Sequence, residues 1–282
     1  MFSILIPSYN NLNYLKLCLN SILKNSINNH EIIIHVNEGS DGTLKYVKDK
    51  KLKYTFSNKN VGLCTAINKS AKISSKDYIL YSHDDMYFCP GWDKHLINEV
   101  NKIGHDDFYL SGTMIEPNSG HIIFNCGETI ETFDENKLLL NYDNLTFYDH
   151  QGTHFAPHLV TKNLWNDVGG FSEEFDPGIT SDPDFNMKLW TKGVRIFKGI
   201  NNFKVYHFGG QTTRKKDNFK RNRGNLTFLK KWKFTVKFFK KYYLKSNTKY
   251  LGQLNEPNKN IFFYKDFIFN KIYYFLVKLL KK

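Results

Sequence analysis

A chain of 282 residues with 41% hydrophobic and 24% charged side chains can bury a sizeable core and is too apolar to be disordered. The net charge is +13, but residues 1–210 hold 20 Lys/Arg against 24 Asp/Glu, whereas residues 211–282 hold 20 against three acids (Asp217, Glu256, Asp266). The basic excess therefore belongs to the tail and points to an anionic partner: a membrane surface, a polyanionic substrate or a nucleic acid.

The N-terminus has no basic start and its apolar run stops at Pro7, so it does not read as a secretory signal. No run of 18 apolar residues argues for a spanning helix. Cys18, Cys64, Cys89 and Cys126 show no metal-ligand or Cys-x-x-Cys spacing and read as buried or free thiols of a reducing compartment. The expected location is cytoplasmic, with peripheral attachment to the inner face of a membrane as the variant.

In chain order, Phe2–Ile6 predicts a buried strand and Asn13–Lys24 a helix, with Leu15, Leu19, Ile22 and Leu23 on one face. Glu31–Val36 predicts a second strand, followed by the polar loop Asn37–Thr43 and a short helix at Leu44–Lys50. Leu52–Phe56 predicts a third strand, and Val61–Lys72 a helix with Asn60 as its N-cap. Asp77–Ser82 predicts a fourth strand running into His83-Asp84-Asp85. This βαβαβαβ order predicts a mostly parallel sheet flanked by helices. Ligands of such sheets bind beyond the carboxyl ends of the strands, so Ser8–Asn10, Asn37–Thr43 and His83–Asp85 should share one rim. Farther on, Phe108–Leu110 and His121–Phe124 carry strand signals, Gly169-Gly170 marks a turn, and Asp184–Lys192 reads as a helix closed by Gly193. Val194–Phe197 and Phe203–Tyr206 read as two further strands. From about Asp217 the chain is helix-prone, basic and aromatic.

Four constellations could carry chemistry. Asp84-Asp85 is either a solvated turn or, on a ligand rim, a site for a hard cation such as Mg²⁺ or Mn²⁺. The Asn37–Thr43 loop is either a turn capped by Ser40 or Asp41 or a polar rim for a base or ribose. Asp182 is either an N-cap with Pro183 at the first helical position, or a base at a helix N-terminus. His207 is either structural or a ligand, with Gly209-Gly210 allowing close backbone approach.

In order and spacing these motifs resemble family 2 glycosyltransferases of the GT-A fold, from Phe2 to about Trp232. Ser3–Asn10 is similar to the family's first strand and nucleotide-contacting turn, Glu31–Thr43 to its second strand and acidic loop, and Asn60–Asn68 to its Asn-x-Gly helix. Tyr78–Trp92 matches the acidic metal motif and the Pro-Gly-Trp behind it; Val168–Phe175 and Ser181–Asp184 resemble the acceptor-side Gly-Gly-Phe and the base motif. The resemblance implies a GT-A domain over 1–225, with a nucleotide half to about 105 and an acceptor half to 225, then a helical basic extension over 226–282. It implies Asp85 and His207 as metal contacts, Asp182 as the general base, Asp84 at the ribose or a metal-bound water, and Pro7, Ser8, Tyr9, Asn10, Glu38 and Asn60 along the nucleotide. The chain departs from the pattern at Asn37-Glu38, where two acids are common, and at Ile67, where Arg is frequent. It departs again at His83, in place of the first acid of Asp-x-Asp, and at Ser181, where Glu commonly precedes the base.

The implied activity is metal-dependent, inverting transfer of a sugar from a nucleotide-diphosphate sugar, a UDP-sugar by preference, to a hydroxyl of a glycan or lipid-linked acceptor. A nucleotidyltransferase is the competing enzyme reading, but Pro7–Asn13 lacks the Gly-rich basic loop of such enzymes. A basic nucleic-acid-binding protein is the non-enzyme alternative, opposed by the acidic balance of residues 1–210. In the tail, Asp266, Asn270, Lys271, Lys278, Lys281 and Lys282 share one helical sector, into which Phe267 and Tyr274 intrude. Packing on the protein or a dimer partner and lying on an anionic membrane stand side by side as readings.

Overall fold

The computed structural model describes residues 1–209 and 218–279; Gly210, Asp217, Lys281 and Lys282 lie outside the described residues. The chain opens β1 (Phe2–Tyr9), α1 (Leu12–Asn25), β2 (Glu31–Asn37), α2 (Thr43–Asp49), β3 (Lys53–Ser57), α3 (Leu63–Lys72) and β4 (Tyr78–Tyr81). It continues β5 (Met86–Phe88), α4 (Trp92–Ile103), β6 (Phe108–Glu116), β7 (Ile122–Ile123), α5 (Glu135–Asn141), β8 (His150–Gln151) and β9 (His158–Thr161). Then come α6 (Lys162–Asp167), α7 (Ser181–Thr191), β10 (Ile196–His207), α8 (Asn218–Trp232), α9 (Val236–Phe239), β11 (Thr248–Lys249) and α10 (Ile261–Leu279).

One eleven-stranded sheet joins these strands in the order β11-β8-β10-β6-β9-β4-β1-β2-β3, with β5 on β10 and β7 on β6. The first four strands are parallel, as the alternating pattern predicts. Their β-branched runs are covered on both faces: Ile4, Leu5, Ile6, Ile33, Ile34 and Val36 are fully buried. On α1, Leu15, Cys18, Leu19 and Ile22 recur at helical spacing and all point into the core. The four cysteines are buried and free.

Several boundaries differ from the sequence reading for local reasons. β1 runs through Pro7 to Tyr9. Leu5 O accepts from Ser82 N on the β4 side, and Pro7 turns its donor-less nitrogen to that same side, where β4 has already ended. The two expected strands at 194–206 are one strand, β10, with a register shift against β6 between Gly199 and Lys204. At Gly199 a side chain would collide with the His150 imidazole, so the small residue that reads as a strand break is instead what admits His150.

The N-terminus of α3 corrects the assignment of Asn60 as its cap. Asn60 Oδ1 accepts from Gly62 N at 2.9 Å, and Gly62 holds the cap position at φ 90. Two of the helix's first free donors go instead to Asp176, 111–112 residues away in sequence: Cys64 N donates to Oδ1 at 2.8 Å and Thr65 N to Oδ2 at 3.4 Å, and the Thr65 hydroxyl adds a bond to Oδ2 at 2.6 Å. A Cβ at Gly62 would strike the Asp176 carboxylate, so the glycine is what lets it in. This long-range cap ties the loop before α7 to the start of α3. We expect Asp176→Ala to cost about 1–2 kcal/mol. Thermal unfolding should show a Tm lower by several degrees, and an unchanged Tm would remove Asp176 from the cap.

Candidate functional site

The polar segments expected on one rim do follow the carboxyl ends of adjacent strands. Pro7–Asn10 ends and follows β1, Glu38 follows β2, Asn60 follows β3, and Asp84-Asp85 follows β4. Their side chains tie the rim together. Asn10 Nδ2 donates to Ser40 Oγ at 3.0 Å, which in turn donates to Glu38 Oε1 at 3.1 Å. Asp41, one of the two expected loop caps, accepts from Thr43 N and from Leu12 N, and so secures the starts of both α2 and α1. Asn37 is buried and accepts from Val61 N at 3.0 Å, which fixes the β3 loop. Glu38 sits at φ 64 and Asn10 at φ 46, backbone conformations in which L residues are uncommon and which turn both side chains along the rim. Tyr9 is exposed and Ser8 buried.

The acidic pair is held by two different environments. Asp84 accepts from Asn11 Nδ2 at 3.1 Å, and burial, with repulsion from Asp85, raises its pKa against that hydrogen bond. Asp85 faces the other way. The antiparallel pairing of β5 with β10 sets Met86 opposite His207, which brings His207 Nε2 to 3.4 Å from Asp85 Oδ1. His207 Nδ1 lies 2.6 Å from Glu116 Oε1. Burial disfavours both charges, but the attraction to His207 and His83 holds Asp85 below the usual carboxylate range, and Asp85 with Glu116 raises His207 to about 10. His83 Nδ1 stands 3.9 Å from Asp85 Oδ1, and burial lowers its pKa to about 4.

One ligand atom from each of His83, Asp85 and His207 falls within 4.8 Å of the others. Two imidazoles and a carboxylate suit a divalent transition ion such as Mn²⁺ better than Mg²⁺, which prefers oxygen. Glu116 on the remote nitrogen of His207 is the kind of partner that orients a metal-binding imidazole. Neither His83 nor Glu116 is among the metal contacts expected from sequence. His83 reads there as a lost acid, although an imidazole can ligate in its place. Glu116 carries the same signal as Asp85, an acid at the end of a buried strand, and the β6–β10 pairing of Ile115 with Tyr206 sets it beside His207.

Asp182 is not the N-cap of α7. Thr180 takes that position at φ 72, without a side-chain cap, and the helix starts at Ser181. Asp182 is therefore within the first turn and is released from capping. Its Oδ1 is buried with no hydrogen-bond partner, and burial pushes its pKa up to about 7. Thr180 is braced from behind: its hydroxyl donates to Asn225 Oδ1 at 3.2 Å, and Gly224 of α8 lies against Ile179 O. Strained backbone held by packing is common at working sites. Asp182 and Asp85 both lie near enough to Tyr81, at the tip of β4, to raise its phenol beyond what burial does. Both carboxylates thus act on the Tyr81 phenol, while Asn60 stays on the β3 side of the rim with its side chain spent on Gly62.

The sequence profile of glycosyl transferase family 2 matches residues 3–158. An uncharacterized glycosyltransferase of Rickettsia typhi is 30% identical over 202 residues, covering 70% of this chain and 59% of that protein. The chain therefore spans about three fifths of that relative's length. Among solved structures, S. aureus TarS in complex with UDP-GlcNAc superposes with a TM-score of 0.57 at 14% identity, covering 88% of this chain and 68% of that one. GalNAc-T7 with UDP, GalNAc and Mn²⁺ gives 0.56 at 14% identity, covering 73% and 43%. These structural likenesses identify the fold as GT-A.

Because the native state binds the Asp182 proton more tightly than the unfolded chain does, the protein should lose stability as pH rises from about 4 to about 7. Asp182→Asn removes that titration. Denaturant unfolding should find this variant more stable than the parent at pH 8 and closer to it at pH 5. Equal differences at both pH values would mean that Asp182 titrates as an ordinary carboxylate.

Proposed function

The chain belongs to glycosyl transferase family 2, and on that premise we propose that it moves a sugar from a nucleotide-diphosphate sugar to a hydroxyl of a glycan or lipid-linked acceptor, with inversion at the anomeric carbon. The observation that carries this reading is a three-residue ligand cluster together with a separate carboxylate, Asp182, whose Oδ1 is buried without a hydrogen-bond partner and whose charge, like that of Asp85, reaches the Tyr81 phenol. UDP and UDP-GlcNAc are bound by the neighbours of this fold, which supports a UDP-sugar donor.

The donor nucleotide lies along Pro7–Asn10, Glu38 and Asn60, with Asp84 at the ribose. Asn11 holds the Asp84 carboxylate in place for that contact. His83, Asp85 and His207 hold a divalent cation, Mn²⁺ by preference, with Glu116 fixing the His207 ring. Such an ion, when bound, neutralises the charge that develops on a departing diphosphate. Asp182 faces the acceptor and takes the proton of its hydroxyl as the new bond forms. A pKa near 7 suits that task, since about half of the carboxylate is then ionised at neutral pH and it is more basic than an ordinary Asp. Holding donor and acceptor on one rim supplies the remaining acceleration through orientation. A single base on the acceptor side, opposite the leaving group, is the arrangement that inverts configuration.

Three measurements test this. Asp182→Asn should keep the donor affinity and lose about 10²–10⁴-fold in kcat. The parent's rate should rise with pH through about 7 and then level off. Transfer at the parent rate by the variant would leave Asp182 as a helix-start residue only. Asp85→Asn should abolish Mn²⁺ binding measured by calorimetry, and chelation should stop turnover until Mn²⁺ is restored. The anomeric coupling in the product's proton NMR spectrum should show inversion, and a retained configuration would refute the single-base mechanism.

A further inference from the structure

The last helix is built the wrong way round for a helix that merely packs on a protein. Successive residues advance about 100° around its axis. The sector that carries Asp266, Asn270 and Phe263 faces the rest of the chain. Asp266 accepts from Lys241 Nζ and from Tyr242 Oη, each at 2.7 Å; Asn270 Oδ1 accepts from Thr235 N at 2.8 Å; Phe263 packs on Phe238. The opposite half of the circumference points outward and carries ten exposed large apolar side chains, among them Phe262, Ile268, Phe269, Ile272, Phe275 and Leu276. Lys265 is the sole charge within that arc. Monomeric surfaces rarely leave so many apolar groups contiguous and uncovered. No described helix is long and apolar enough to cross a membrane, so the arc is suited to a surface and not to a span.

Beside the arc opens a cleft of about 1310 Å³, lined by Lys237, Lys240, Lys241, Lys245, Leu251 and Tyr273. Tyr273 belongs to both the cleft and the arc, and Leu251 is 90% exposed at the cleft's edge. Lys241 is engaged by Asp266, while Lys237, Lys240 and Lys245 have no carboxylate partner among the described residues. Asn225, which receives the Thr180 hydroxyl just before Asp182, also lines the cleft.

We propose that α10 lies in the interface of a bilayer of anionic lipid, its outward arc in the acyl boundary and the lysine cleft on the phosphodiester headgroups. Charge selects this occupant. Residues 211–282 hold 20 Lys/Arg against three acids, so a second copy seated on the arc would bring like charge to like, whereas an anionic leaflet complements it. Tyr264 and Tyr273, half-exposed at opposite ends of the arc, have the amphipathic rings that favour the headgroup level.

Flotation of the full chain with sealed vesicles tests this without any activity measurement, so its failure is distinct from failure of the glycosyltransferase reading. Binding is expected to vesicles of phosphatidylcholine mixed with phosphatidylglycerol, weaker binding to phosphatidylcholine alone, and release by high salt. The double variant Phe269→Glu/Ile272→Glu alters exposed positions and should keep the parent's Tm while losing flotation. Lys237→Glu and Lys245→Glu should each weaken binding to the anionic vesicles at least about fivefold. Absence of flotation with anionic vesicles at low salt would overturn the proposal, as would flotation unaffected by both sets of variants. A dimer in sedimentation velocity that Phe269→Glu/Ile272→Glu disperses would assign the arc to a second copy instead.

Discussion

The site depends on one piece of strand pairing. β4 ends at Tyr81, and the chain then reverses to lay three residues, β5, antiparallel on the end of β10. That register sets Met86 opposite His207 and so places the residue before it, Asp85, against the His207 ring. β6 lies on the other side of β10 and delivers Glu116 to the same ring. Three strands that meet at one corner of the sheet thereby build an acid–imidazole–acid row. Two buried carboxylates would repel each other; the imidazole between them makes their burial tolerable. A cation held at Asp85 would do the same work, which is why the corner suits a metal as well as a proton.

Asp182 is positioned by a different device. The loop that leads to α7 holds only one short 3-10 turn, Glu173–Phe175. Asp176 anchors the loop by capping α3 from a distance, and α8 braces Thr180 through Asn225 and Gly224. Between these anchors the chain takes a left-handed residue at Thr180, which moves the helix start forward and leaves the Asp182 side chain free of capping duty. An Asp used as a cap would be locked to backbone N–H groups and held strongly acidic. Unpartnered and buried, the same side chain becomes a weaker acid and a better base.

The first half of the fold was legible because its signals are local. β-branched runs, helical spacing and polar strand ends repeat in one order, and the parallel strands and their rim follow from that order alone. The family resemblance likewise rested on contiguous motifs, Ser3–Asn10 and Tyr78–Trp92 chief among them. What stayed hidden was non-local. Nothing near Leu63 announces that Asp176 caps it, and the Asn60 that sits at the expected spacing is taken up by its own turn. His83 looked like a deficit because it was compared with an acid position by position; beside Asp85 and His207 it is a third donor. The two strands expected at Val194–Phe197 and Phe203–Tyr206 are one, joined across a register shift at which Gly199 makes room for His150. The cap assigned to Asp182 failed because Ser-Asp-Pro is a good helix start in isolation, while the strain at Thr180 is set by α8, more than forty residues later.

The tail's composition gave its charge but not its orientation. A wheel drawn from sequence separates polar from apolar sectors and is silent on which of them meets the protein. Lys241, Tyr242 and Thr235 show it, since each donates to α10, the first two to Asp266 and the third to Asn270. Satisfying those groups turns the polar sector inward and leaves the aromatics outside. The cleft that results shares Asn225 with the brace behind Asp182. On the proposed function, a surface seated on α10 would share that brace with the carboxylate proposed to take the acceptor's proton. Such a geometry favours an acceptor that is itself tethered to lipid, because tethering replaces a search through bulk solution by one along the surface.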